Sequence, residues 1–181
     1  MKSEISISNA RSFLFVPGNR PERFLKAAQS GSDAVILDLE DSVPLESKAA
    51  SRESIAKQWP ALMATGVKVV VRTNSPETDV GKDDLRALAA LQGLHAVMIP
   101  KCESKETLEY VSHEMPQTPI LPIIESASGF IALDEIASST NVSRLVVGHI
   151  DFLADTGMQC ADDQRELDTL RFNVAMFTRK F

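Results

Sequence analysis

Three carboxylates in four residues, Asp38-Leu39-Glu40-Asp41, follow directly on the apolar run Ala34–Leu37. Like charges packed this closely repel, so they call for a counter-charge, a metal or raised proton affinities. The bland alternative is a solvated turn in which Asp41 or Ser42 caps the next helix. Arg72 stands in the equivalent place behind Lys68–Val71. Its fork suits a substrate carboxylate held bidentately, or a structural ion pair with the Asp38–Asp41 cluster, and the two uses are compatible. Glu125 ends the run Ile120–Ile124, and Asp151 closes Gly148-His149-Ile150-Asp151 behind Arg144–Val147. Two carboxylates at the tips of adjacent strands make an oxygen site of the kind Mg²⁺ takes, with positions left for water or substrate. His149 would also suit a transition metal, although a lone histidine at a strand end is more often a hydrogen-bonded structural residue. Lys101, behind Ala96–Ile99, pairs with a carboxylate or phosphate, or caps a loop. Arg20, in Pro17-Gly18-Asn19-Arg20, either completes a tight turn into a helix or supports an anion at its start. Cys102 has no neighbouring base to make it a nucleophile and reads as inert.

The elements that must position these groups repeat. Six apolar runs, Ser12–Val16, Ala34–Leu37, Lys68–Val71, Ala96–Ile99, Ile120–Ile124 and Arg144–Val147, are nearly continuous in apolar residues rather than alternating. Strands buried on both faces of a parallel sheet read this way. Between and after them lie helical stretches, at Pro21–Ser30, Leu45–Gln58, Asp79–Leu91, Ser104–Glu114, Gly129–Ser138 and Asp162–Phe181. The last carries Leu167, Leu170, Val174, Phe177 and Phe181 three or four residues apart, an amphipathic spacing. The order is βα six times, an α/β class. An open doubly wound sheet and a TIM (β/α)8 barrel both accommodate it, and both place their chemistry where strands end. A barrel needs eight units, so six units in 181 residues read as a single barrel domain, 1–181, without its last two βα units and C-terminal segment.

Composition narrows the classes. A formal net charge of −6 argues against a nucleic-acid or anionic-membrane footprint, since both need positive surface. Cys102 and Cys160 fit neither a zinc pattern nor a disulfide framework. The opening residues hold no apolar signal core and no run is long enough to span a bilayer. A cytoplasmic location is expected.

Taken together, these stretches resemble the HpcH/HpaI aldolase and citrate lyase beta-subunit family. The likeness rests on Arg11-Ser-Phe-Leu-Phe-Val-Pro-Gly-Asn-Arg20, Asp33-Ala-Val-Ile-Leu-Asp-Leu-Glu-Asp-Ser-Val43, Val71-Arg72-Thr73-Asn74, Ile99-Pro-Lys101, Ile124-Glu125-Ser126-Ala127 and Val147-Gly148-His149-Ile150-Asp151. They run in order from Arg11 to about Gly157. His149 and Ile150 stand where members usually carry other residues.

The resemblance implies a TIM barrel with Mg²⁺ on Glu125 and Asp151. It implies that Arg72 grips the carboxylate of oxaloacetate, pyruvate or glyoxylate, with Glu40 and Asp41 as its catalytic companions and Arg20 and Lys101 as further substrate-binding groups. The implied reaction is carbon–carbon cleavage of a citryl-CoA-like or malyl-CoA-like thioester, giving an acyl-CoA and a keto acid. Hydrolysis of the CoA ester on the same scaffold is the second expectation, and a non-catalytic, metal-binding assembly subunit the third. Relatives lead one to expect a homotrimer or larger, or a place in a lyase complex.

Overall fold

The computed structural model describes residues 6–181, which fold into two compact units divided between Met98 and Ile99.

In the first unit, strands β1 (Phe13–Pro17), β2 (Ala34–Asp38), β3 (Lys68–Arg72) and β4 (Ala96–Ile99) lie side by side in chain order and run parallel. Ala34–Leu37, Val69–Val71 and Ala96–Ile99 are buried throughout, as continuous β-branched and aliphatic runs require in a sheet covered on both faces. Three strands run one residue further than the apolar pattern indicates. Their last residues are Pro17, Asp38 and Arg72, which are register partners in a single row. Charge at Asp38 and Arg72 hides the strand ends from an apolar pattern, yet pairing those two charges is what lets the strands extend.

Helix α1 (Phe24–Ala28) follows a 3₁₀ turn at Pro21–Arg23. Phe24 and Ala27 enter the core while Leu25 is exposed. Helix α2 (Lys48–Met63) follows a second 3₁₀ turn at Leu45–Ser47 and continues beyond Gln58 through Pro60. Neither Asp41 nor Ser42 caps it, because Pro44 opens the preceding turn and the Ser42 amide donates to Asp38 instead. Helix α3 (Asp79–Ala89) is capped by Thr78, whose side chain accepts from the Gly81 amide, and buries Leu85 and Leu88.

The second unit holds β5 (Ile120–Ile124), fully buried, and β6, shortened to Val146–Val147, in parallel pairing. Helix α4 (Lys105–Glu114) is capped by Ser104. The helix expected at Gly129–Ser138 is two short pieces, α5 (Ala127–Ile131), capped by Ser126, and α6 (Leu133–Ala137). A further helix, α7 (His149–Thr156), lies where the sequence pattern suggests only a strand tip. Its boundaries are glycines: Gly148 before it, and Gly157 after it in the left-handed conformation at φ 67°. The final helix, α8 (Asp168–Lys180), turns Leu170 and Val174 inward, with Leu167 buried just ahead of it. Phe181, placed by spacing on the same face, is exposed, as are Phe172 and Met176.

Candidate active site

Asp38, Glu40, Asp41 and Arg72 gather at the carboxyl ends of β2 and β3. Because Asp38 and Arg72 are register partners, their side chains rise from neighbouring strands on one face. The guanidinium binds Asp38 side-on, Nε to Oδ1 at 2.6 Å and Nη2 to Oδ2 at 2.8 Å. Its Nη1 lies 2.9 Å from Glu40 Oε2 and 3.6 Å from Asp41 Oδ2. The Phe15 ring centroid is 5.2 Å from the guanidinium carbon, a cation–π distance. Arg72 is thus the cation that the crowded carboxylates need, and the structural half of its expected role is present. At least three of its five N–H donors face carboxylates.

Asp38 also accepts from the Glu40 and Ser42 amides, which folds the acidic turn around its own first residue. Burial alone would raise its proton affinity. The hydrogen bonds from Arg72 and Ser42, the Arg72 charge and the Glu40 amide more than offset this, and its pKa is lowered from the ordinary 3.8. The same pairing raises the pKa of Arg72 although burial opposes it. Asp38 is only 2% exposed, whereas the Asp41 side chain is largely open. Asp38 is therefore the organiser of the cluster, and Glu40 and Asp41 are the carboxylates it presents.

Residues on helices support this turn, and sequence reasoning overlooks them. Lys48, in the first turn of α2, donates from Nζ to the carbonyls of Leu39 (2.8 Å) and Glu40 (2.9 Å). Asn74 Nδ2 donates to the Leu39 carbonyl at 2.9 Å and to Asp84 Oδ2 at 2.7 Å. Asp84 also accepts from the Asn74 amide and from Arg52 of α2. A lysine opening a helix, where the dipole favours anions, is the signal that could have flagged Lys48.

The second unit unites Lys101, Glu125 and Asp151. Glu125, 6% exposed at the end of β5, accepts the Lys101 amide on Oε1 at 2.6 Å. Lys101 takes positive φ, 48°, uncommon for a non-glycine residue, and its Nζ lies 3.7 Å from Asp151 Oδ2. One residue therefore contacts both carboxylates, by backbone and by side chain. The expectation of two strand tips is corrected here: Glu125 follows a strand, but Asp151 sits in the first turn of α7, where the helix N-terminus favours a carboxylate. Gly148 leaves the room this arrangement needs. A Cβ there would stand 2.3 Å from Glu125 Oε2 and 2.7 Å from its Cβ. Gly148→Ala should push Glu125 aside and destabilise the protein by about 1–3 kcal/mol, an overpacking cost that thermal denaturation would reveal as a lowered Tm.

Arg20 is exposed and bound through Nε to Glu22 at 2.6 Å, and the ion pairs of the Arg72 cluster do not include it. Cys102 is buried, with its thiol 3.9 Å from the Ser104 carbonyl, and the inert reading suits it.

The profile of the HpcH/HpaI aldolase/citrate lyase family matches residues 11–181. The chain belongs to the HpcH/HpaI aldolase/citrate lyase family. A citrate lyase subunit beta-like protein of Mycobacterium tuberculosis is 35% identical over 92% of this chain and 56% of its own length. A (3S)-malyl-CoA thioesterase of Cereibacter sphaeroides is 31% identical over 85% of this chain and 54% of its own. This HpcH/HpaI-family chain spans about half the length of the curated relatives it matches. Among solved structures, the citrate lyase beta subunit of M. tuberculosis complexed with oxaloacetate and magnesium superposes with a TM-score of 0.82 at 30% identity. It covers 96% of this chain and 76% of that one. The fold is accordingly the α/β, TIM-barrel-like fold of this family, represented here by six parallel strands and their helices. No helix among the described residues is long and apolar enough to cross a membrane.

Proposed function

We propose that this chain is the metal- and keto-acid-handling part of a Mg²⁺-dependent carbon–carbon lyase of the citryl-CoA or malyl-CoA type. The observation that carries the reading is the Lys101–Glu125–Asp151 arrangement: a buried carboxylate anchored by a backbone amide, a second carboxylate at a helix start, and a glycine that clears space beside the first. The donor set fits the metal. Mg²⁺ takes one or two protein carboxylates and completes its shell with water and substrate oxygens. The relative solved with oxaloacetate and magnesium supports the same choice.

Glu125 and Asp151 would hold the ion. When bound, it supplies a Lewis acid for the substrate oxygen that gains charge as the carbon–carbon bond breaks. The rest of the chemistry falls to the side chains. Arg72 receives the keto-acid carboxylate and fixes its orientation. Glu40 and Asp41, beside Arg72 Nη1, keep the guanidinium from turning. In the reaction the substrate hydroxyl gives its proton to a carboxylate or a water, its oxygen becomes the ketone, and the bond to the neighbouring carbon breaks. The electron pair passes into the thioester enolate, which then takes up a proton. Cytoplasmic residence and a trimeric or larger assembly accompany this reading.

Calorimetric titration with oxaloacetate tests it. Binding that requires Mg²⁺ and disappears with EDTA is the expected result; no heat in either condition sinks the reading. Similarity to (3S)-malyl-CoA thioesterases favours a second reading, hydrolysis of the CoA ester. Products separate the two, since a lyase releases a keto acid while a thioesterase leaves the hydroxy-diacid intact.

A further inference from the structure

The acidic turn is also held through its backbone carbonyls, by Lys48 and Asn74. Lys48 is 9% exposed, and the partners of its ammonium are the Leu39 and Glu40 carbonyls. Asp84 is fully buried and receives Arg52, the Asn74 amide and the Asn74 side chain. Asn74 passes the connection on to the Leu39 carbonyl. Leu39 is buried, and its amide donates to the Arg72 carbonyl. Every polar backbone atom of Leu39 is therefore fixed, one side by β3 and the other by α2 and Asn74. Burying an ammonium is costly unless its protons are satisfied. A core position that keeps Lys48 where a methionine would fit points to a requirement on the turn itself.

We propose that Lys48, and Asp84 acting through Asn74, are positioning residues that lock the Leu39–Glu40 peptide and so set where Glu40 and Asp41 stand relative to Arg72. Glu40 is held at its amide by Asp38, at its carbonyl by Lys48 and the Val43 amide, and at its carboxylate by Arg72. Removing Lys48 takes one donor from the Leu39 carbonyl and one from the Glu40 carbonyl and gives the turn more freedom. The ion pairs to Arg72 Nη1 then loosen although no group in them has been altered. The consequence for ligands rests on the reading that Arg72 and its carboxylates receive a keto acid; the consequence for the turn does not.

The experiment is amide hydrogen exchange of the full chain, followed by oxaloacetate titration in Mg²⁺, for Lys48→Met, Lys48→Arg and Asn74→Ala. Lys48→Met should speed exchange at the Glu40 and Ser42 amides about tenfold or more while leaving Val69–Val71 of β3 unchanged. It should raise the oxaloacetate Kd by a similar factor. Lys48→Arg, which retains donors and charge, should restore much of both. Asn74→Ala removes the Leu39 hook together with the side-chain bond to Asp84, and should show the same local pattern at smaller scale, so the idea remains testable if Lys48→Met does not fold. Unchanged exchange at Glu40 and Ser42 in the folded variants overturns the proposal. Equal acceleration at Val69–Val71 also overturns it, because it marks general loosening. Faster exchange in a protein that, as wild type, binds no oxaloacetate upholds the positioning role and rejects the keto-acid reading.

Discussion

Glu125→Gln is expected to weaken Mg²⁺ binding by roughly 100-fold while leaving the fold intact. Loss of an outer-shell partner alone costs about 10- to 100-fold in metal affinity, and loss of a ligand's charge belongs at or above the upper end. Glutamine is the informative replacement. It retains the volume of Glu125, so the clearance given by Gly148 is still filled, and its carbonyl can still accept the Lys101 amide. The positive-φ turn at Lys101 should thus survive. Isothermal titration with Mg²⁺ reads the affinity, and a melting curve without metal reads the fold. Unchanged affinity removes Glu125 from the metal site. A Tm fallen by more than about 4–8 °C, the shift expected for 1 kcal/mol in a small domain, shows that the carboxylate serves the fold instead.

Arg72→Met should be the most damaging change in the first unit, and for two separable reasons. It removes the group expected to orient the keto acid, and it leaves Asp38 buried without its cation. Breaking one half of a buried ion pair costs about 3–5 kcal/mol, much of it the penalty of the orphaned charge. A double-mutant cycle with Asp38→Asn isolates the second cause: the two single changes should couple by about 2–3 kcal/mol, and additive effects would refute the pairing argument. Acid gives an independent check. A carboxylate whose folded pKa is depressed contributes stability that is complete above its unfolded value and is lost as pH falls through the folded one. For Asp38, that contribution is intact above about pH 4 and fades only below it. In Arg72→Met the cation is gone, burial dominates, and the carboxyl's pKa moves up. The difference in stability between wild type and variant should therefore be largest near neutral pH and shrink on acidification. Denaturant melts from pH 3 to 7 would show this; a difference independent of pH means that packing, not charge, is what Arg72 contributes.

Much of the molecule was legible in its sequence. Runs such as Ala34–Leu37 and Ile120–Ile124 are apolar throughout, and continuous burial of this kind determines parallel strands without reference to anything distant. The candidate residues Glu40, Asp41, Arg72, Lys101, Glu125 and Asp151 stand behind those runs, because in α/β folds the loops after strands carry function. The order of motifs likewise determined the family. Tertiary structure decided the rest. Strand ends at Asp38 and Arg72 were invisible because a charged residue extends a strand only when a neighbouring strand supplies its partner. Helix α7 was hidden in eight residues, too short for a periodic signal, and it moved Asp151 from a strand tip to a helix start. Arg20 pairs with Glu22 two residues on, a side-chain direction that spacing cannot fix. Lys48 and Asp84 look like ordinary surface charges on amphipathic helices. Only packing shows them buried, since burial and hydrogen-bond partners come from residues 8 to 35 positions away, not from local pattern.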